Sequence, residues 1–173
     1  MNSNTKDIFH NKSIDNLSSE ELALLYKEYD KFNQNVYDFV LTYYDYIYRE
    51  KDYGTGDKLK MVEVHIVSDI ADTPDITAQD LAKKWDRTPA FISKTLRHLE
   101  DLGYIEQKIN EDNRRFNIIS LSEKGKKLDL AHKKYDIKSI TNTNNALLEF
   151  FTIDEIIKFR KFLVKYGKLI SEE

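Results

Sequence analysis

The sequence predicts a mainly α fold with a small β hairpin set between helices, on three observations. Glycine and proline are scarce, 5 and 2 among 173 residues, so few turns are obligatory. Apolar residues recur at steps of three and four along both ends of the chain, the period of helices with a buried face. Tyr104–Ile109 and Phe116–Leu121 read as a pair of strands, with the polar turn Asn110–Arg115 between them.

Taken in order, residues 1–17 are polar and unpatterned and are expected to form a flexible arm. Ser18 and Glu21 have the spacing of a capping box, which opens a helix to about Tyr48. Leu25, Tyr29, Phe32, Val36, Val40, Tyr43 and Ile47 form one apolar edge and Leu22, Tyr26, Tyr37, Tyr44 and Tyr48 a second, so this helix needs more than one neighbour. Lys51–Asp57, with Gly54 and Gly56, reads as a loop. Met61, Val62, Ile66 and Ile70 mark a shorter helix that ends before Pro74, and Ile76 is expected to start a short strand. Thr77 with Asp80 caps a helix that buries Leu81 and Trp85.

The stretch Trp85–Gly103 organises the rest. Asp86-Arg87 is a tight turn, Thr88 a helix cap and Pro89 a first helical residue that needs no N–H. Ile92, Leu96, Leu99 and Leu102 make one buried stripe, which leaves Ser93, Lys94, Arg97 and His98 outward. Gly103 suits a left-handed cap. This is a helix-turn-helix followed directly by a hairpin, the wing. Ser122 begins a further helix that runs towards Phe150, with Thr141–Asn145 as a bend or break left open. Thr152 and Glu155 form another capping box, and Ile156, Phe159, Leu163, Tyr166 and Ile170 are the stripe of the last helix. The expected divisions are 1–17, the arm; 18–57, an N-terminal dimerisation helix and loop; 58–122, the winged helix-turn-helix; and 123–173, C-terminal dimerisation helices.

The net charge is −3, so nucleic-acid binding requires a local basic patch. Between Lys83 and Lys127 the basic residues Lys83, Lys84, Arg87, Lys94, Arg97, Lys108, Arg114, Arg115, Lys124, Lys126 and Lys127 outnumber Asp86, Glu100, Asp101, Glu106, Glu111, Asp112 and Glu123. Each charge alone reads as solvated surface; together on a helix-turn-helix with a wing they read as the footprint of phosphate contact. Thr88, Ser93 and Lys94 suit phosphates or base edges, Arg97 suits guanine, Pro89 and Ala90 sit at the helix start, where Ala90 permits close approach, and His98 either meets a phosphate or covers the helix end. The absence of cysteine excludes disulfides, thiolate metal sites, cysteine nucleophiles and thiol redox switches. The first residues lack a signal-peptide pattern and no stretch has the length to span a bilayer, so the protein is expected to be soluble and cytoplasmic. No nucleophile–base pair or phosphate loop is present, and Gly54-Thr55-Gly56 lacks a phosphate-binding lysine; no enzyme activity and no cofactor are expected. His10, His65, His98 and His132 are scattered, Glu63 and His65 do not converge on a helix, and no metal site is expected unless the fold assembles one.

The segments I-T-A-Q-D-L-A (76–82), T-P-A-F-I-S-K-T-L-R-H-L-E-D-L-G-Y-I (88–105), N-R-R-F-N-I-I-S-L-S-E-K-G (113–125) and L-L-E-F-F-T-I-D-E-I-I-K-F-R-K-F-L (147–163) resemble the MarR family of winged-helix transcriptional regulators. The resemblance spans roughly residues 20–170. It implies a winged helix-turn-helix flanked by N- and C-terminal dimerisation helices. One departure stands out: counting back from Leu121-Ser122 puts Asn113 where the family's wing has an aspartate and Arg115 at its arginine, while Asp112 and Arg114 lie one residue earlier. Either Arg114 or Arg115 is then the residue for the minor groove. The family's small anionic or phenolic effectors imply a cleft lined by Tyr44, Tyr48, Met61 and His65, although each also reads as dimer core. A sequence-specific, homodimeric regulator of double-stranded DNA follows, expected to be a repressor that binds an inverted repeat and is released by a small-molecule effector. The alternative is a winged-helix module that binds protein and not DNA.

Overall fold

The computed structural model describes residues 13–109 and 117–172, in two compact units. Residues up to Glu50 with Lys60–Val62 make the first, and Lys51–Leu59 with the chain from Glu63 onward the second.

The first unit is dominated by one helix, α1, Ser19–Tyr48, 30 residues long. Its start is fixed by the expected box: Glu21 N–H donates to Ser18 Oγ at 3.2 Å and Ser18 N–H to Glu21 Oε2 at 2.9 Å. Within the expected arm, Ile14–Asn16 form a 3-10 turn; residues 1–12 lie outside the described residues. Leu25 is the buried residue of α1, and most of its aromatic side chains are exposed.

The second unit begins with a two-residue ladder, β1 (Lys51–Asp52) against β2 (Lys58–Leu59), pairing Lys51 with Leu59 and Asp52 with Lys58. The expected loop is therefore a closed hairpin. Asp52 Oδ1 accepts from Gly54, Thr55 and Gly56 N–H at 2.7–3.1 Å, which organises a turn where both glycines have positive φ. Helix α2 follows, Met61–Asp72. Ile76, expected to open a strand, does not; it follows Asp75 at φ 58 and is buried as the residue before a cap. Helix α3 is Ala78–Lys84 and α4 Pro89–Asp101. Strands β3 (Ile105–Ile109) and β4 (Asn117–Leu121) pair antiparallel from Ile105↔Leu121 to Ile109↔Asn117. Helix α5, Glu123–Leu148, runs unbroken through Thr141–Asn145; weak helix propensity there is overridden, as it commonly is. Helix α6, Ile153–Ile170, starts at the Thr152–Glu155 box. No helix among the described residues is long and apolar enough to cross a membrane.

The core of this unit is Leu59, Val64, Ile66, Val67, Leu81, Ile92, Leu96, Leu99, Tyr104 and Leu128, all essentially inaccessible. Each large side chain contributes ~1.5–3 kcal/mol by burial. Trp85 and Leu102, expected inside, are half-buried.

Gly125, in the first turn of α5, is buried, and a β-carbon there would overlap the Tyr104 carbonyl oxygen. Gly125→Ala is expected to lower stability by ~1–3 kcal/mol, the usual cost of overpacking, measured as the shift of the urea midpoint at unchanged slope.

Candidate nucleic-acid interface

The helix-turn-helix is held from three sides. Thr77 Oγ1 accepts from Asp80 N–H at 3.1 Å, and Asp80 Oδ2 accepts from Thr77 N–H at 3.1 Å and its hydroxyl at 2.6 Å. These bonds hold the Asp80 carboxyl below the usual carboxylate range, the Thr77 hydroxyl contributing most. At the other end of α3, Trp85 Nε1 donates to Asp69 Oδ2 at 2.8 Å and Lys84 Nζ to Asp69 Oδ1 at 2.7 Å. The turn is made at Asp86, φ 47. Thr88 Oγ1 then accepts from Phe91 N–H at 3.2 Å, with Pro89 as first helical residue.

Helix α4 buries Ile92, Thr95, Leu96 and Leu99 and exposes Ser93, Lys94, Arg97 and His98. Thr95 is a polar member of the inner stripe; its hydroxyl is satisfied by Phe91 O at 3.0 Å. Thr88, Pro89 and Ala90 are exposed at the helix start. The Arg87 guanidinium lies 5.8 Å from the Phe91 ring centroid. His98 Nε2 stands 3.7 Å from Glu63 Oε1, which turns it towards α2. Glu100 accepts from Gln107 N–H at 3.1 Å and Gln107 Nε2 at 2.9 Å, clipping the first wing strand to α4. Between α3, α4 and the two strands lies a cleft of about 420 Å³ lined by Thr77, Gln79, Ser93, Arg97, Gln107 and Asn117.

Behind α4, Tyr104 is the junction. Its N–H bonds Leu99 O at 2.9 Å and its carbonyl accepts from Ser122 N–H at 3.0 Å. Its hydroxyl donates to Asp57 Oδ2 at 2.7 Å. Lys124 Nζ reaches the same carboxylate at 2.7 Å and Leu102 O at 2.8 Å, and lies 4.3 Å from the Tyr104 ring centroid. Burial pushes the Tyr104 phenol up to about 12. The Lys124 ammonium, then the Tyr104 hydroxyl, hold the Asp57 carboxyl below its ordinary value.

The basic excess is thus partly spent within the chain: Lys84 on Asp69, Lys108 on Glu106, Lys124 on Asp57, Lys126 on Glu123. Lys94 and Arg97 form no ion pair among the described residues, and both face outward on α4. Asp112, Asn113, Arg114 and Arg115 lie outside the described residues.

The residues expected to line an effector cleft belong to both units. In the first, the Tyr44 and Tyr48 rings are 4.5 Å apart. In the second, His65 meets the Trp85 ring at 6.0 Å and the His132 ring at 4.6 Å. His65, His132 and Asp136 bring donor atoms within 4.8 Å of one another. Sequence reasoning tested Glu63 with His65 and missed His132 with Asp136, whose i,i+4 spacing on one helix was the available signal.

A sequence model of the MarR family matches residues 59–116. The uncharacterized HTH-type transcriptional regulator YwhA of Bacillus subtilis is 32% identical over 100 residues, 57% of this chain and 72% of YwhA. YhjH of the same organism, under the same description, is 29% identical over 122 residues, covering 66% of this chain and 67% of its own. Streptococcus pneumoniae FabT, in its crystal structure with DNA, superposes with a TM-score of 0.59 at 21% identity, over 85% of this chain and 98% of FabT.

The Asp57 carboxyl, lowered from its ordinary 3.8, stabilises the fold above that value, and the contribution is lost as pH falls through the lowered one. Asp57→Asn is expected to be less stable than the wild type at neutral pH, with the difference shrinking below pH 3.8; urea unfolding across pH checks it.

Proposed function

This chain belongs to the MarR family of DNA-binding transcriptional regulators, and we propose that it acts as a homodimeric repressor that reads an inverted repeat and is released by a small effector. The observation that carries the reading is the outer face of α4: Ser93, Lys94 and Arg97 stand on a helix whose opposite side is locked in the core, beside a wing clipped to it by Glu100. A helix so held keeps its side chains in register with base edges, as major-groove recognition requires. Arg97 takes the guanine-reading role, Thr88, Ser93, Lys94, Arg87 and Lys108 the phosphates, and Pro89 and Ala90 the close approach at the helix start. His98, leaning on Glu63, contributes at the edge. Arg114 or Arg115 takes the minor groove.

Dimerisation is supported by apolar surface. Helices α1 and α6 carry Tyr26, Phe32, Tyr37, Phe159, Phe162 and Leu163 exposed in the single chain, and α6 buries none of its residues. So much exposed apolar area marks an interface. A second copy also supplies the second reading helix, about 34 Å away, that an inverted repeat calls for.

Selection of bound duplexes from a random-sequence pool is expected to return an inverted repeat. Arg97→Ala is expected to cost ~1–3 kcal/mol and blur one base position per half-site, while Lys94→Ala weakens all sequences alike and lowers the salt slope by about 1. Unchanged binding in both variants, or a monomer in sedimentation, overturns the proposal in favour of a protein-binding module.

A further inference from the structure

Away from the reading face, three potential metal ligands on two helices converge. Asp136 Oδ2 of α5 lies 3.2 Å from His132 Nε2 on the same helix and 3.8 Å from His65 Nε2 on α2. Around an ion with bonds of about 2.0–2.1 Å, tetrahedral ligands stand about 3.4 Å apart. Both spacings to the carboxylate are therefore within about half an ångström of a liganded one, and all three donors lie within 4.8 Å.

Hydrogen bonding within the fold leaves one member of the cluster unsatisfied. His132 is 3% exposed, yet its Nε2 takes no hydrogen bond, because the nearby Asp136 oxygen lies off the line of one. A buried nitrogen without a hydrogen bond is costly. Its other nitrogen, Nδ1, stands 3.3 Å from Ser68 Oγ, the kind of outer contact that orients a ligating imidazole and leaves the far nitrogen for the metal. The edge of Tyr53, 5.4 Å between ring centroids, fixes the ring from the side.

We infer that His65 Nε2, His132 Nε2 and the Asp136 carboxylate bind a divalent transition-metal ion, with at least one position left for water or another donor. Two imidazoles and one carboxylate, in a chain without cysteine, suit zinc, iron or nickel rather than magnesium or calcium. The site touches the DNA-reading machinery through one side chain. His65 faces Trp85 at 6.0 Å, and Trp85 closes α3 and is tied to Asp69. An ion that draws the His65 ring towards α5 changes what Trp85 rests on. That the ion is the effector depends on the repressor proposal above; that it binds does not.

Trp85 is the single tryptophan of the chain, so its fluorescence reports on this site. The untagged chain, without DNA, is titrated with cobalt(II), which quenches a nearby indole. Saturable quenching is expected at one equivalent per chain, reversed by zinc(II). His65→Ala and Asp136→Asn alter half-exposed positions and keep the fold, which circular dichroism verifies. Each is expected to weaken cobalt binding by roughly 100-fold, at the upper end of what losing even an outer partner costs. Quenching that does not saturate, or that both folded variants retain unchanged, means an adventitious ion only and overturns the site. A comparison of DNA affinity with and without zinc(II) then separates the site from its proposed use: metal binding that leaves operator affinity unchanged overturns the effector role alone.

Discussion

The hydrogen bonds and packing of Tyr104 hold the reading head together. The residue follows the glycine that ends α4, yet it touches four elements: the α4 terminus through Leu99 O, the β1–β2 hairpin through Asp57, the first wing strand by covalent continuity and α5 through Ser122. A phenol in the interior needs a partner for its hydroxyl. Asp57 supplies one, and Lys124 neutralises the carboxylate while its ammonium lies over the same ring. The orientation of α4 is set at its C-terminal end by this group and at its N-terminal end by Thr88 and the Trp85–Asp69 bond.

Much of this was legible in the sequence where the cause is local. Boxes at Ser18, Thr77 and Thr152 each placed a helix start, because the cap and its third residue are neighbours in the chain. Thr88-Pro89 and Gly103 bounded α4 for the same reason. The β1–β2 ladder was not legible: two residue pairs carry no alternating pattern, and the partners of Asp57, Tyr104 and Lys124, lie far along the chain. Ile76 misled because a single buried β-branched residue before a cap looks like the start of a strand. At Thr141–Asn145 the sequence left a break open, since local helix propensity is weak there, and the longer helix carries through.

For the site, periodicity sufficed to separate the outward Ser93, Lys94 and Arg97 from the inward Leu96 and Leu99. It did not show which lysines are already engaged. Lys124 counts towards a basic patch in a residue tally, but its position against Asp57, 67 residues earlier in the chain, makes it a structural cation. Lys94 and Arg97, by contrast, enter no ion pair among the described residues and keep their charge on the outer face of α4. In the His65–His132–Asp136 cluster, the i,i+4 pair His132 and Asp136 was readable on one helix, and only its meeting with His65 needed the fold.

Gly125 carries one more implication. With no room for a single methyl group between α5 and the Tyr104 carbonyl, the long helix and the base of the wing cannot slide past one another. A displacement of α5 at this point is therefore shared by the backbone that opens the wing, as between a crank and its shaft.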